Sequence, residues 1–252
     1  VEVSYLGNYG WGDTLTVAND ATNGLGTTGD LSSILSNFAT PRVQGLDYNE
    51  TATATMSASM VSGEANLRTW TAMPPGPFDV QFLVGARYLK AKDTLQYRTA
   101  SQSPAPGGSV NDLLVAAGND MYGVQVGLDG KFLVSHTFFV DFEAKGAILA
   151  NFASQNSNYA QTDSDGNTSI FLTSASSNRT AFLGDFNLTA NWQLRPNFTV
   201  RAGYQAIFVN GLALAPQNVQ PNNVLLKDGP GQLVDNGNLI YHGPVIGLVG
   251  SW

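Results

Sequence analysis

Between Phe138 and Phe152 the sequence FFVDFEAKGAILANF sets apolar residues on every second position and ionisable ones between them. Phe138, Val140, Phe142, Ala144, Ile148 and Ala150 oppose Asp141, Glu143, Lys145 and Asn151. A period of two puts alternate side chains on opposite faces of a β-strand, so this stretch must separate two different environments. The pattern recurs along the chain. Phe78, Val80, Phe82, Val84, Ala86 and Tyr88 oppose Asp79, Gln81, Leu83, Gly85 and Arg87. Tyr122, Val124, Val126 and Leu128 oppose Met121, Gly123, Gln125 and Gly127. Phe182, Phe186, Leu188, Ala190 and Trp192 oppose Asp185, Asn187, Thr189 and Asn191. Phe198, Val200, Ala202, Tyr204, Ala206 and Phe208 oppose Thr199, Arg201, Gly203 and Gln205. Ala52 to Thr71 alternates if a bulge near Ser62–Gly63 shifts its phase, which sets Ala65 and Leu67 against Glu64, Asn66 and Arg68. With Val1 to Leu6 and NLIYHGPVIGLVGSW at the end, about eight strands are expected.

The connections alternate in length. MPPGP (Met73 to Pro77), DG (Asp129–Gly130) and RPN (Arg195 to Asn197) read as short turns, and the long polar connections fall at about 7–50, 99–111, 153–178 and 211–237. In an up-and-down antiparallel meander all short turns then lie at one end. Outer-membrane β-barrels show this asymmetry, with short periplasmic turns and long external loops. The pattern predicts a single barrel domain over 1–252. The best helical candidate is only DLSSILSNF, Asp30 to Phe38, and no apolar run approaches the ~18 residues of a spanning helix. Charged residues make up 12%, half the usual soluble share of roughly 25%, which suits strands half immersed in lipid. Trp70, Phe78, Phe132, Trp192 and Phe198 cluster around the short turns, and Trp252 reaches the same level by strand parity. They are the expected periplasmic aromatic girdle.

Alternation alone does not say which face is inside. A soluble barrel binding an apolar ligand would turn the apolar face inward, whereas a membrane barrel turns it outward. The near absence of charge from the apolar face over roughly ten residues per strand favours lipid outside, since that length crosses ~25 Å of hydrocarbon when tilted. Glu64, Arg68, Arg87, Asp141, Glu143, Lys145, Asp185 and Arg201 then point into the lumen. Both signs are present, and a narrow lumen must pair them because an unpaired buried charge costs several kcal/mol.

Several stretches follow one another in the order and wording of a known family: GEANLRTW (Gly63 to Trp70), FLVGARYL (Phe82 to Leu89), MYGVQVGLDG (Met121 to Gly130), FEAKGAILAN (Phe142 to Asn151), RAGYQAIFVNGLALAP (Arg201 to Pro216) and YHG (Tyr241 to Gly243). Over Gly63 to Trp252 the chain resembles the outer-membrane β-barrel proteins found mainly in planctomycete bacteria, and VEVSYLG fits an early strand of that family. The resemblance implies an outer-membrane barrel exported by a signal peptide that this chain does not carry. It also implies further N-terminal strands, giving ten or more in all. It brings no catalytic residue.

The chemistry expected is sparse. A net charge of −7 disfavours nucleic acid, and zero cysteines exclude disulfides and thiolate metal sites. The two histidines are His136, read as lying on the apolar face near a strand start, and His242, beside Tyr241 near a loop. Neither sits in a recognisable catalytic pattern, so no enzymatic activity is expected. DSDGNTS places oxygen donors at Asp163, Asp165 and Asn167, a weak candidate Ca2+ site; the pattern is not that of an EF-hand, and a solvated turn is the stronger reading. No other cofactor is expected. The leading expectation is a structural, surface-displaying barrel with a charge-filled lumen. A passive porin-like channel for small polar solutes is the alternative, and a soluble apolar-ligand barrel the second alternative. Expected partners are outer-membrane lipid and either further copies of the chain or other envelope proteins.

Overall fold

The computed structural model describes residues 1–19, 31–33, 46–70, 77–101, 109–163, 165–219 and 229–250. Its strands are β1 (Glu2–Ala18), β2 (Thr51–Trp70), β3 (Phe78–Ser101), β4 (Ser109–Leu133), β5 (Phe138–Thr162), β6 (Thr168–Arg195), β7 (Phe198–Leu212), β8 (Gly229–Pro230) and β9 (Gly237–Gly250). Eight of them form one antiparallel sheet in the order β1-β2-β3-β4-β5-β6-β7-β9, and the short β8 pairs in parallel with β6. This is the expected up-and-down meander, curled into a half-barrel whose concave face is the lumen. The two edges, β1 and β9, run antiparallel to each other, and no ladder joins them among the described residues. They meet through side chains: the rings of Trp11 and Tyr241 stack with centroids 5.0 Å apart.

The strands are longer than their lipid-facing parts, reaching 25 residues in β5 and 28 in β6. They run on into segments that the sequence suggests are loops, so the connection read at 153–178 shrinks to 163–167 between β5 and β6. Ser154, Asn156 and Asn158 there alternate with buried Ala153, Gln155, Ser157 and Tyr159, a contrast of small polar residues too weak to signal a strand. The turn expected at Asp129–Gly130 is also displaced. β4 continues to Leu133, and the chain turns at 134–137. Gly130 is a strand residue lying beneath the Phe142 ring, where a Cβ would meet Cε1 at 1.9 Å. The bulge expected near Ser62–Gly63 lies in the neighbouring strand instead: β2 pairs with β3 without a break, and the register shift falls between Leu6 and Tyr9 of β1. The turn at Arg195 to Asn197 stands where expected, and the Met73 to Pro77 turn falls mostly outside the described residues. Of the helical candidate only Leu31 to Ser33 is described; Leu31 forms an isolated bridge with Asn49.

The wall reverses polarity along its height. In the half nearest the short turns, Phe82, Val84, Val124, Val126, Ile148, Phe182, Phe186 and Leu188 are exposed on the outer face. Their exposure, 54% for Phe82, is what a lipid-contacting surface requires in a barrel without its bilayer. Two rings of aromatics bound this belt. Phe78 packs on Phe132 and Phe142 at one edge, with centroids 6.4 and 5.9 Å apart. Tyr88, Tyr122 and Phe152 form the other. Phe78 and Tyr88, Tyr122 and Phe132, Phe142 and Phe152, Phe182 and Trp192, and Phe198 and Phe208 are each ten positions apart. At ~3.3 Å per residue and a tilt of about 40°, ten residues rise roughly 25 Å, the height of a barrel's apolar band.

Beyond Tyr88 the outer face turns polar, with Lys90, Lys92, Arg98, Ser57, Ser59, Ser154, Asn156 and Asn158; Leu114, Ile170 and Leu172 are exceptions. Threonines pair across the outside of β1 and β2, Thr14 with Thr55 and Thr16 with Thr53, each at 3.1 Å. The inner face there turns apolar. Met60, Leu89, Ala91, Met121, Leu149, Leu183, Ile207 and Val209 form one buried cluster, and Leu113, Val115, Ala117, Ala153 and Tyr159 a second.

This second half is filled by chain returning from β7. Gly211, at φ +87°, bulges out of register near the end of β7, and the backbone leaves the wall after Leu212; a Cβ at Gly211 would also press within 3.1 Å of the Thr180 carbonyl. Leu212, Ala213 and Ala215 are completely buried, and a 3-10 turn (Ala215–Asn218) follows. Asn119 holds this plug as a strand would, donating to the Ala213 carbonyl and accepting from its N–H, both at 2.8 Å. Asn151 donates to the Gly211 carbonyl, and Asn218 ties down Val234 from both sides of its backbone.

Candidate functional site: the charged lumen

The lower lumen is built from side chains that register sets opposite one another. Glu64 pairs with Arg87 across β2 and β3, and Lys145 with Asp185 across β5 and β6. The curl of the sheet brings the two pairs together. The Arg87 guanidinium donates to Asp185 at 2.9 Å and to the Ser62 hydroxyl at 3.1 Å, with Glu64 at 3.7 Å. The Lys145 ammonium lies 2.6 Å from Glu64 and 2.8 Å from Glu143. Glu64 also accepts from Ser4 and from the Gln125 amide, each at 2.6 Å. Gln205 donates to Asp185 at 2.9 Å. Two cations and two anions at the centre thus satisfy one another, which makes the 4% exposure of Arg87 tolerable.

A second node lies nearer the short turns, where Arg68 meets Glu143 at 3.1 Å and also Glu2 and Asp129. Both nodes line one cavity of about 360 Å³, together with Asp141, Asn187, Thr189, Asn191 and Arg201.

Of the eight lumen charges read from the sequence, six join these two nodes: Glu64, Arg68, Arg87, Glu143, Lys145 and Asp185. Asp141 accepts from the Asn191 amide at 2.8 Å instead, and Arg201 stays exposed on the cavity wall. The sequence reading missed Glu2 and Asp129. Asp129 was hidden by its DG dipeptide, which reads as a turn; Glu2 has the right parity in VEVSYL, but too short a pattern to assign a face.

Among the girdle residues, Phe78, Phe132 and Trp192 stand exposed on the outer face and Phe198 half-buried on it. Trp70 ends β2 and its side chain is not among those described; Trp252 lies outside the described residues. His136 does not lie on a strand face. It is exposed in the turn between β4 and β5, because β4 extends four residues past Asp129. His242 is hydrogen-bonded to the Tyr204 phenol on the outer, lipid-facing side. In the 163–167 loop the Asp163 carboxylate accepts the N–H of Asp165 and of Asn167 and the Asn167 amide. Those bonds, the Asn167 side chain's first, hold it below the ordinary carboxylate range. Its oxygens close a turn. No cluster of metal-binding side chains occurs among the described residues.

An apolar outer belt between two aromatic rings, on an up-and-down antiparallel sheet, defines a transmembrane β-barrel. The chain belongs to the family described as "Putative beta barrel porin-7 (BBP7)", whose model matches residues 47–236, from just before β2 to just before β9. It is therefore a porin-type barrel of the outer membrane. No curated protein and no solved structure matches it.

Proposed function

We propose that this barrel is a closed, non-enzymatic scaffold of the outer membrane, anchored by its belt and displaying the loops opposite its short turns. On this reading the short turns face the periplasm, lipid is the principal partner, and the displayed loops meet other envelope proteins. The observation that carries it is the stack within the lumen. Above the Arg87–Asp185–Glu64–Lys145 layer lies the buried Leu89, Met121, Leu149 and Leu183 layer, and above that the plug at Leu212 to Ala215. An ion crossing this stack would shed its hydration in an apolar layer, at a cost of several kcal/mol or more. In planar bilayers the protein should show no conductance, while the double variant Asn119→Ala/Asn151→Ala, which frees the plug, should show steps. Steady conductance by the unaltered protein would overturn the reading.

The passive channel is the second reading, favoured by the polar 360 Å³ cavity at the short-turn end. It requires the plug to leave the lumen under ordinary conditions.

A further inference from the structure

Past its register shift, β1 turns Trp11 to the concave face, at the level of the plug. There Trp11, Met56, Ala58, Leu214, Pro216 and Leu239 line an open-mouthed cavity of about 330 Å³ with almost wholly apolar walls. One buried ionisable group lines it, Asp93, at 9% exposure. Its carboxylate accepts the Ala215 N–H at 2.7 Å, and among the described residues no cation is paired with it. Its register neighbours on β2 and β4 are Ala58 and Ala117. Among the described residues, the other titratable groups facing this region are exposed Asp13 of β1 and the Tyr241 phenol of β9, the latter within electrostatic range of Asp93.

We propose that this cavity binds an apolar molecule carrying a single protonated amine. A carboxylate accepts several hydrogen bonds, and one backbone N–H leaves most of that capacity unused. An ammonium would supply both the donors and the missing charge. The Trp11 ring, stacked on Tyr241, adds an aromatic face of the kind that attracts cations, and Met56, Leu214, Pro216 and Leu239 cover an apolar body. A second cavity of about 210 Å³ shares Trp11 and reaches His242 and Pro244 on the outer side of β9, giving an approach through the β1–β9 seam. Burial raises the Asp93 carboxyl to about 6, so mild acid removes the anion that the amine would meet.

The test uses the folded protein in lipid nanodiscs, titrated calorimetrically with 2-phenylethylamine and with 2-phenylethanol, each corrected against empty discs. At pH 7.5 the amine should bind at least about tenfold more tightly than the alcohol. That preference should vanish at pH 5, in Asp93→Asn and in Trp11→Ala. Equal binding of amine and alcohol, or a preference that survives both acid and Asp93→Asn, would overturn the proposal. Should Asp93→Asn fail to fold, the pH arm on the unaltered protein decides alone. Absence of conductance is measured separately, so either result stands whatever the other shows.

Discussion

Below the Tyr88–Tyr122–Phe152 ring the wall is apolar outside and ionic inside; above it Lys90, Lys92 and Asp120 face out while Leu89, Ala91 and Met121 face in. The same strands build both halves, and strand parity runs unbroken through β3, β4 and β5. Only the solvent has changed. Where lipid bathes the outside, charge can collect only in the hollow; where water bathes it, the hollow can be packed as a soluble core is. The two halves therefore fail in different ways when altered.

The largest effect belongs to the ionic layer. Asp185→Ala leaves Arg87 buried with Glu64 3.7 Å away as its remaining carboxylate. Unfolding in urea from lipid vesicles should show a loss of about 3–5 kcal/mol. The wall itself comes next. Val124→Arg, on the belt, should cost about 2–4 kcal/mol in the same assay, whereas Ser57→Arg, on the outer face above the belt, should stay within about 0.5 kcal/mol. Equal costs would erase the distinction between the halves. For the plug, Asn119→Ala removes both hydrogen bonds to Ala213, and about 1–3 kcal/mol should be lost, read as faster hydrogen exchange at Ala213 and Ala215.

The smallest effect is that of pH. Asp93 lies five residues beyond Tyr88, outside the belt, and its carboxyl is raised from 3.8 to about 6 by burial, which the Ala215 N–H only partly offsets. A raised carboxyl favours the protonated, docked form. Its contribution is complete below about pH 4 and is lost as pH climbs through 6, on the order of 1 kcal/mol after allowance for the wet mouth nearby. Asp93→Asn should flatten the profile between pH 4.5 and 7.5 in thermal unfolding.

The lower half was legible because its two environments are extremes. Phe, Val and Leu against Asp, Glu, Lys and Arg give an alternation that survives glycines and register shifts. The antiparallel meander and the apolar outer face followed from it. The upper half was not legible. There serines, threonines and asparagines face water while alanines and methionines face the core, so the alternation of Thr51 to Ser59 has too little contrast to say which face is inside. That weakness also explains the misplaced bulge: the pattern of β2 changes where its surroundings change, with no shift in its backbone. The plug had no periodic signal at all. Asn119, Asn151 and Asn218 hold it through backbone groups of a distant segment, which no local pattern encodes.

The boundary itself can be located directly, because the chain contains no cysteine and single ones can be introduced cleanly. Spin labels at 82, 84 and 86, and at 92, 94 and 96 of β3, would report oxygen against a water-soluble nickel chelate in reconstituted bilayers. The account predicts oxygen-dominated relaxation at the first three sites and nickel-dominated relaxation at the last three. The same accessibility at all six would contradict it.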